Sequence, residues 1–177
     1  MPKIFFVRHA ETVYNIENRF CGRTDIPITE NGKSTAKALG KTKVFDREFD
    51  FYFVSPLRRT SETLQEMYLD KELYPIISSD ITEIDLGSWE GTNKDSVDQE
   101  LRKEFLLGNY TPPNGETHED VYKRLKHFIH DISTRYPSNS SILVITHSGI
   151  IRTLKRMYNL DSKKTKTDNL EYIIIDI

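Results

Sequence analysis

Short apolar runs alternate along the chain with segments in which apolar residues recur every three or four positions. Runs of strand length lie at 4–7, 51–54, 75–78, 142–145 and 172–177. The periodic segments predict helices between these strands, at 29–43, 57–69 and 121–132. Because the run 142–145 is apolar at every position, it indicates a strand covered on both faces. The alternation therefore predicts a three-layer α/β/α sandwich with a mostly parallel central sheet.

A loop is predicted at 108–115, where two glycines and two prolines prevent a helix or a central strand from continuing. This loop would join a helix near 95–107 to the helix that follows Gly115. The sequence contains no internal repeat and no linker-like stretch, and its length fits one globular domain. We expect a single domain, 1–177, in which the segment at about 92–114 forms a lid-like cover.

Composition and charge narrow the choice of partners. The 177 residues include 25 Lys and Arg and 27 Asp and Glu, so a formal net charge of -2 gives no general attraction to nucleic acid or anionic membranes. The apolar runs are far shorter than the roughly 20 residues of a membrane span, and the start lacks a signal-peptide pattern. The single cysteine, Cys21, suits a reducing compartment. We expect a cytoplasmic protein that binds neither nucleic acid nor membrane, and a homodimer is compatible with the sequence.

Polar clusters follow predicted strands at the places where α/β proteins bind ligands. They lie at 8–12, 55–59, 83–87 and 146–149. Because the carboxyl ends of parallel strands meet helix N-termini at one sheet edge, we expect these clusters to form one pocket. Arginine matches phosphate oxygens with a planar fork, and imidazole is an effective nucleophile near neutral pH. The set of two histidines, several arginines and a carboxylate suits a phosphoryl dianion.

Six motifs in a fixed order give the chain a family resemblance. They lie at 7–15, 19–32, 55–63, 83–91, 114–117 and 146–152. On these motifs the chain resembles the histidine phosphatase superfamily, and most of all its α-ribazole phosphatase and broad-specificity phosphatase branch. The resemblance implies a phosphoglycerate mutase-like fold. Two departures are small: Ala10 replaces a usual glycine, and Ser148 stands where glycine or alanine is common.

The resemblance implies a role for each residue that matches a family motif. His9 would be the nucleophile that forms a phosphohistidine, and Glu83 would be the general acid for the leaving alkoxide. The phosphoryl oxygens would be held by Arg8, Asn15, Arg59 and His147. Nearby cations would lower the pKa of His9 and keep its attacking nitrogen unprotonated.

Other residues complete the predicted site at its mouth or support it. We expect substrate contacts from Thr12, Cys21, Gly22, Arg23 and Ser148. Arg58 is expected at the rim. Two further carboxylates, Asp85 and Glu90, remain open as alternatives to Glu83 or as its supporting groups, and Glu11 remains open as a group that supports His9 or Arg8. Trp89 and Tyr110 would either stack on a substrate ring or pack within the lid.

The function that this pattern favours is metal-independent hydrolysis of a small phosphorylated metabolite, with α-ribazole phosphate as one candidate. The resemblance also favours a phosphatase over a mutase, because the family's mutases carry an inserted basic segment, whereas here the span between Glu83 and His147 is short and its loop at 111–115 has no arginine. The alternatives are a phosphoglycerate mutase and a non-catalytic module that binds phosphorylated ligands. No cofactor is expected, and no metal, because motifs such as His-Glu-x-x-His are absent. The remaining histidines, at 118, 127 and 130, are expected in solvent.

Overall fold

The computed structural model describes residues 1–160 and 167–177. Its strands are β1 (Lys3–Arg8), β2 (Phe51–Val54), β3 (Ile76–Ile77), β4 (Ser141–Thr146) and β5 (Tyr172–Asp176). Its α-helices are α1 (Val13–Ile16), α2 (Glu30–Gly40), α3 (Arg58–Met67), α4 (Gln99–Leu107), α5 (His118–Arg135) and α6 (Ser148–Met157). Short 3-10 helices cover Ser79–Ile81, Gly87–Trp89 and Lys94–Ser96.

The five strands form one sheet in the order β3-β2-β4-β1-β5. The pairs β2–β3, β2–β4 and β1–β4 are parallel, and β5 alone runs antiparallel, beside β1. The register places Ile4 opposite Ile142, and Val54 opposite Ile145. Four parallel strands therefore end at the same edge of the sheet, where β5 begins. The predicted mostly parallel sheet is confirmed.

Alternate side chains of the central strands enter two separate cores, as a pleated strand covered on both faces requires. Ile4 and Phe6 of β1 belong to the core that also contains buried residues of α5 and α6. Phe5 and Val7 belong to the opposite core, with buried residues of α2 and α3. The helices thus form two outer layers around the sheet, which is the predicted α/β/α sandwich.

Side-chain caps and an edge position shift the observed ends of three elements. Helix α5 begins before the predicted residue 121, because the Thr117 side chain accepts a hydrogen bond from the backbone of the first turn. Helix α4 begins at Gln99 rather than near 95, because the Asp98 carboxylate accepts two backbone N–H groups at 3.0 Å. The strand predicted at 75–78 is only Ile76–Ile77, since it is an edge strand that follows a proline.

An aromatic group packs the covering segment against the sheet. The Trp89 ring lies 5.5 Å from the Tyr110 ring in a stacked arrangement and 5.4 Å from Phe105 of α4. Phe20 adds a third ring, 5.0 Å from Trp89. Trp89 and Phe105 are buried in the same core as α5 and α6. Trp89 and Tyr110 were expected either to stack on a substrate ring or to pack within the predicted lid. In the structure the two rings pack against each other, and Trp89 also packs against Phe105.

Candidate active site

A pocket of about 330 Å³ opens at the carboxyl edge of the sheet. The end of β1 contributes Arg8 and His9, and the start of α6 contributes Ser148. Glu83 and Asn15 reach the same pocket from connecting segments. The polar clusters that follow the strands therefore meet, as parallel strand ends should. This volume is at the lower end of the range typical of small-molecule sites.

The His9 imidazole is held in one tautomer at the pocket wall. Its ring is only 3 % exposed, and its Nδ1 lies 2.7 Å from the Ala10 carbonyl oxygen. Because a carbonyl only accepts, Nδ1 carries the proton and Nε2 keeps its lone pair. Burial, and then the charges of Arg59 and Arg8, hold the pKa of His9 well below its usual 6.5. The ring is therefore neutral at physiological pH and its Nε2 can act as a nucleophile.

His147 is the second buried imidazole, with its ring centre 5.3 Å from that of His9. Its Nε2 lies 2.7 Å from the Ser55 hydroxyl, which also accepts the Leu57 N–H. When Ser55 donates to Nε2, the proton of His147 sits on Nδ1, a buried atom that has no partner among the described residues. Burial followed by the charge of Arg59 lowers the pKa of His147 well below 6.5. His147 is thus neutral at physiological pH.

Two arginines supply positive charge on either side of His9. Arg59 is fully buried and donates to the carbonyl oxygens of Thr24 and Gly22 at 2.8 and 2.7 Å. Arg8 donates to the Thr167 carbonyl at 2.6 Å, and burial lowers the pKa of Arg8 to about 10, which leaves it charged at neutral pH. The Nε–H groups of both are buried without a partner in the part of the chain that the structure describes. Unpaired buried donors are costly, and a bound oxyanion would relieve that cost.

Glu83 is anchored at the N-terminus of α6. Its carboxylate accepts the Gly149 N–H at 3.1 and 3.2 Å, the Ile84 N–H at 2.9 Å and the Ser148 hydroxyl at 3.3 Å. A Cβ on Gly149 would lie 2.3 Å from Glu83 Oε1, so only glycine allows this approach. Glu83 is the one acidic side chain among the described residues that line the pocket.

The three alternative carboxylates contact other groups. Glu90 accepts the backbone N–H groups of Gly22 and Thr24 at 2.9 and 3.1 Å. Glu11 accepts from the side chains of Thr29 and Asn31, and Asp85 accepts the Gly87 N–H at 2.9 Å. Each carboxylate therefore stabilises a loop or a helix start and does not line the pocket.

The predicted substrate-contact residues divide into two groups. Cys21 and Ser148 line the pocket, and burial raises the pKa of the Cys21 thiol to about 11, which leaves it protonated. Thr12, Gly22 and Arg23 do not line it. Thr12 is buried, with its N–H donating to Asn15 Oδ1 at 3.0 Å, and Gly22 offers its carbonyl to Arg59. Arg23 forms an ion pair with Glu116 at 3.3 Å instead of reaching the pocket.

Arg59 and His147 also lie outside the pocket wall, although they are close to His9. Both side chains have no solvent exposure. Arg59 lowers the pKa of both imidazoles. Arg58 is exposed and pairs with Glu62 at 2.8 Å, outside the residues that line the pocket. The order Arg58-Arg59 thus places one guanidinium near His9 and the other in solvent.

Several residues near the site were not predicted to have a role there. Asn169 donates at 3.0 Å to both the His9 carbonyl and Asn15 Oδ1, and Thr167 lines the pocket beside Arg8. Four cationic residues also line the pocket: Arg19, Lys94, Arg102 and Arg152. Arg19 and Arg152 fall inside family motifs, whereas nothing in the sequence marks Lys94 or Arg102 apart from an ordinary charged helix.

His118 differs from its expected position in solvent. Its ring lies 5.0 Å from the Phe105 ring, and both ring nitrogens are buried without a partner in the described residues. Burial lowers the pKa of His118 to about 4. His127 is exposed, as expected, and lies 2.7 Å from an Asp80 oxygen. His130 is exposed as well.

Two further features are absent from the described ranges, 1–160 and 167–177. These ranges contain no group of three or more His, Cys, Asp or Glu side chains arranged to hold a metal ion. They also contain no helix with the length and apolar character needed to cross a bilayer.

The fold and the site define a class of α/β protein with a cationic pocket at the carboxyl edge of its sheet, next to a neutral histidine. The chain belongs to the histidine phosphatase superfamily, branch 1, whose family model matches residues 4–176. The predicted superfamily is therefore confirmed. The more specific prediction of the α-ribazole phosphatase branch stays a prediction.

Relatives of known activity include both mutases and phosphatases. The chain is 30% identical to phosphoserine phosphatase 1 of Hydrogenobacter thermophilus, over 99% of this chain and 86% of the relative. It is 32% identical to the 2,3-bisphosphoglycerate-dependent phosphoglycerate mutase of Bartonella bacilliformis, over 85% of this chain and 78% of that one. Because the chain is about equally identical to a phosphatase and to a mutase, sequence identity does not distinguish between these two activities.

Solved structures share the fold. A phosphoglycerate mutase from Thermus thermophilus superposes with a TM-score of 0.81 at 24% identity, covering 98% of this chain and 92% of that one. The mycobacterial glucosyl-3-phosphoglycerate phosphatase superposes with a TM-score of 0.83 at 21% identity, covering 97% and 91%. The predicted phosphoglycerate mutase-like fold is confirmed.

Proposed function

We propose that the protein hydrolyses small phosphomonoesters through a phosphohistidine on His9, without a metal ion. The observation that carries this proposal is the hydrogen bond from His9 Nδ1 to the Ala10 carbonyl, which leaves Nε2 unprotonated at the pocket wall. Arg8 and Arg59 supply the charge that an incoming phosphoryl group needs. Phosphoryl transfer depends mainly on positioning and on charge stabilisation, and this set of groups provides both.

The first step transfers the phosphoryl group to the protein. His9 Nε2 attacks phosphorus in line, an N–P bond forms, and the ester P–O bond breaks. Protonated Glu83 gives its proton to the leaving alkoxide. Arg8 and Asn15, which line the pocket, hold the equatorial oxygens, and the buried donors Arg59 Nε and His147 Nδ1 are proposed to reach them when the phosphoryl group is bound. In the second step Glu83 takes a proton from water, whose oxygen attacks phosphorus and releases phosphate from His9.

Hydrolysis is proposed over mutase chemistry because the connection from Glu83 to His147 is short and lacks an inserted basic segment. A phosphoglycerate mutase is the second candidate. The mutase relatives, together with additional cations on the pocket wall, support it. The two functions differ in their product, because a hydrolase releases phosphate whereas a mutase moves it between two positions of one carbon skeleton.

The proposal is tested with p-nitrophenyl phosphate and 3-phosphoglycerate, with and without a chelator. We expect His9→Ala to reduce hydrolysis roughly 1000-fold or more, because the nucleophile is lost. His127→Ala is the matched control, since this histidine is exposed and lies outside the pocket. Unchanged turnover by His9→Ala would refute the phosphohistidine, and sensitivity to the chelator would refute metal independence.

Two further readouts separate the alternatives. Interconversion of 2- and 3-phosphoglycerate without release of phosphate would identify a mutase. A label from substrate on His9 that is lost in acid and retained in base is expected for either enzyme. A non-catalytic module that binds phosphorylated ligands would acquire no such label.

A further inference from the structure

One side-chain amide connects the nucleophile to a second residue of the pocket. Asn169 lies just before β5, and its Nδ2 donates to the His9 carbonyl oxygen and to Asn15 Oδ1, at 3.0 Å in each case. An amide NH2 group has two hydrogens, and these two bonds use both of them. Asn169 itself does not line the pocket. It can therefore affect a bound ligand only through the residues that it contacts.

The His9 carbonyl fixes the orientation of the Asn169 amide. A carbonyl oxygen only accepts hydrogen bonds, so the amide group that lies 3.0 Å from it must be the NH2 group and not the oxygen. The second hydrogen of the same NH2 group then points at Asn15, and the atom that receives it must be Oδ1. The orientation of one backbone carbonyl thus determines the orientation of a second side chain.

Asn15 is thereby oriented with its donor group available to the pocket that it lines. Its Oδ1 also accepts the Thr12 N–H at 3.0 Å, so two donors meet at this one oxygen. The reversed amide would bring Nδ2 against both donors and leave all three groups without an acceptor, which is costly. Neither bond uses the Nδ2 group of Asn15. Because a phosphoryl oxygen only accepts, this NH2 group is the end of Asn15 that can bind it.

The turn that carries Asn169 is bonded to the strand that leads to the nucleophile. The Leu170 N–H donates to the Arg8 carbonyl at 3.2 Å, and the Arg8 N–H donates to the Glu171 carbonyl at 2.9 Å. The Glu171 N–H donates to the Asp168 carbonyl at 3.1 Å and closes the turn. Leu170 has a φ of 61°, in the left-handed region that residues other than glycine rarely adopt. A leucine in this conformation indicates that the surrounding structure holds the turn in place.

An ion pair anchors the same turn to α6. The Lys155 ammonium contacts Glu171 Oε1, and the other oxygen of that carboxylate accepts the Asp168 N–H at 3.0 Å. Lys155 is buried on α6, so this contact is shielded from solvent. The position of Asn169 is therefore determined by β1, β5 and α6 together. A side chain on a turn anchored in this way is fixed before a ligand binds.

We propose that Asn169 is a positioning residue for phosphoryl transfer, which fixes the His9 backbone and holds Asn15 with its NH2 group toward the phosphoryl oxygens. This inference rests on the proposed function, because it concerns the groups that hold the same phosphoryl group. Donors that are oriented in advance stabilise the transition state without having to reorganise during the reaction. The loss of Asn169 should therefore act on binding and rate through His9 and Asn15.

Two substitutions separate the donors of Asn169 from its volume. Asn169→Asp keeps the shape of the side chain but places an acceptor oxygen against two others, whereas Asn169→Ala removes the group. We expect Asn169→Ala to lower kcat/KM for p-nitrophenyl phosphate about tenfold, because two hydrogen bonds are lost, and Asn169→Asp to lower it further. Asn109→Ala is the matched control, since this exposed asparagine donates to Glu104 outside the pocket. It should keep the wild-type kcat/KM.

A double-mutant cycle with Asn15→Ala tests whether the effect passes through Asn15. The ligand is inorganic phosphate and its Kd is measured by calorimetric titration, so the cycle does not depend on turnover. We expect Asn169→Ala to weaken phosphate binding about tenfold in the wild-type background, and about threefold or less when residue 15 is already alanine. Circular dichroism and thermal unfolding verify that each variant is folded. If Asn169→Ala is unfolded, Asn169→Asp replaces it in the cycle.

Three results would overturn the positioning role. The first is a wild-type kcat/KM in Asn169→Asp, because this variant lacks the donors and keeps the shape. The second is an equal loss of phosphate affinity in both backgrounds of the cycle, which is the result expected if Asn169 only stabilises the fold. The third is a wild-type protein that binds no phosphate. If phosphate binds but no ester is hydrolysed, the proposed function fails, and the cycle alone decides the role of Asn169.

Discussion

Gly149 is the position where one added methyl group would act on the proposed general acid alone. Its N–H donates to both oxygens of Glu83, and the space above its Cα is filled by that carboxylate. In Gly149→Ala, the new Cβ would lie 2.3 Å from Glu83 Oε1 and 3.2 Å from an Ile84 methyl group. The carboxylate must move by roughly 1 Å to restore ordinary contact, whereas His9 and Arg8 are not touched.

The expected size of the effect follows from that displacement. A misplacement of about 1 Å costs roughly 100-fold in rate, which is within the range that general acid catalysis contributes. Strain from the added methyl should also lower the free energy of unfolding by about 1–3 kcal/mol. The loss of rate should depend on the leaving group. Glycerol 3-phosphate releases a basic alkoxide that needs the proton, whereas p-nitrophenolate leaves well without one.

Steady-state kcat/KM for both esters at pH 7 measures this dependence. We expect a loss of roughly 100-fold for the alkyl ester and of roughly tenfold or less for the aryl ester. Ile132→Val serves as the control, because it destabilises a buried position of α5 by about 1 kcal/mol away from the pocket. Equal losses for the two esters in Gly149→Ala would refute the assignment of Glu83 as the proton donor.

Three other variants test separate contacts by urea unfolding or hydrogen exchange. Ser55→Ala leaves His147 Nε2 and the Leu57 N–H unpaired, so it should lower the free energy of unfolding by about 1–3 kcal/mol. The exposed Ser61→Ala should lower it by less than about 0.5 kcal/mol. His118 has its pKa lowered to about 4 by burial, so the unfolded chain binds a proton that the folded one rejects, and stability is lost as pH falls from 6.5 toward 4. The wild-type protein should lose folding stability between pH 7 and pH 5, and after allowance for solvent screening this loss should be about 1–2 kcal/mol smaller in His118→Leu. The same loss of stability in both proteins would contradict the lowered pKa of His118. Asp98→Ala removes the N-cap of α4, so it should lower the free energy of unfolding by about 1 kcal/mol. Amide hydrogen exchange should become faster in α4 and stay unchanged in the sheet.

The layer architecture was predictable because it depends on side-chain periodicity alone. Strand β4 is apolar at every central position, and a strand of this kind has to be covered on both sides. The ends of elements were less predictable. A helix start depends on one capping side chain, as that of α4 depends on Asp98, whereas the same residue type at position 50 accepts the backbone N–H of Ser141 at the start of a strand. Strand order was not accessible, since periodicity carries no information on which strands are neighbours.

The residues of the site were likewise predictable where a sequence motif marks them and unpredictable where only the fold brings them to the pocket. His9, Arg8 and Glu83 lie inside the family motifs at 7–15 and 83–91, and the resemblance alone assigned their roles. Thr167 and Asn169 could not be placed, because they reach the pocket only through the antiparallel direction of β5, which brings its first residues to the carboxyl end of β1.

Lys94 and Arg102 show a different limit of sequence reasoning. In the chain they belong to a stretch rich in both charge signs, which is typical of a solvated helix. The fold separates them from those neighbours, because the contacts of Trp89 and Phe105 with the core turn one face of the covering segment toward the pocket. Buried apolar contacts far from His9 thereby decide which charges a substrate meets. Specificity in this chain should therefore respond to substitutions in the aromatic group as well as to changes in the cations themselves.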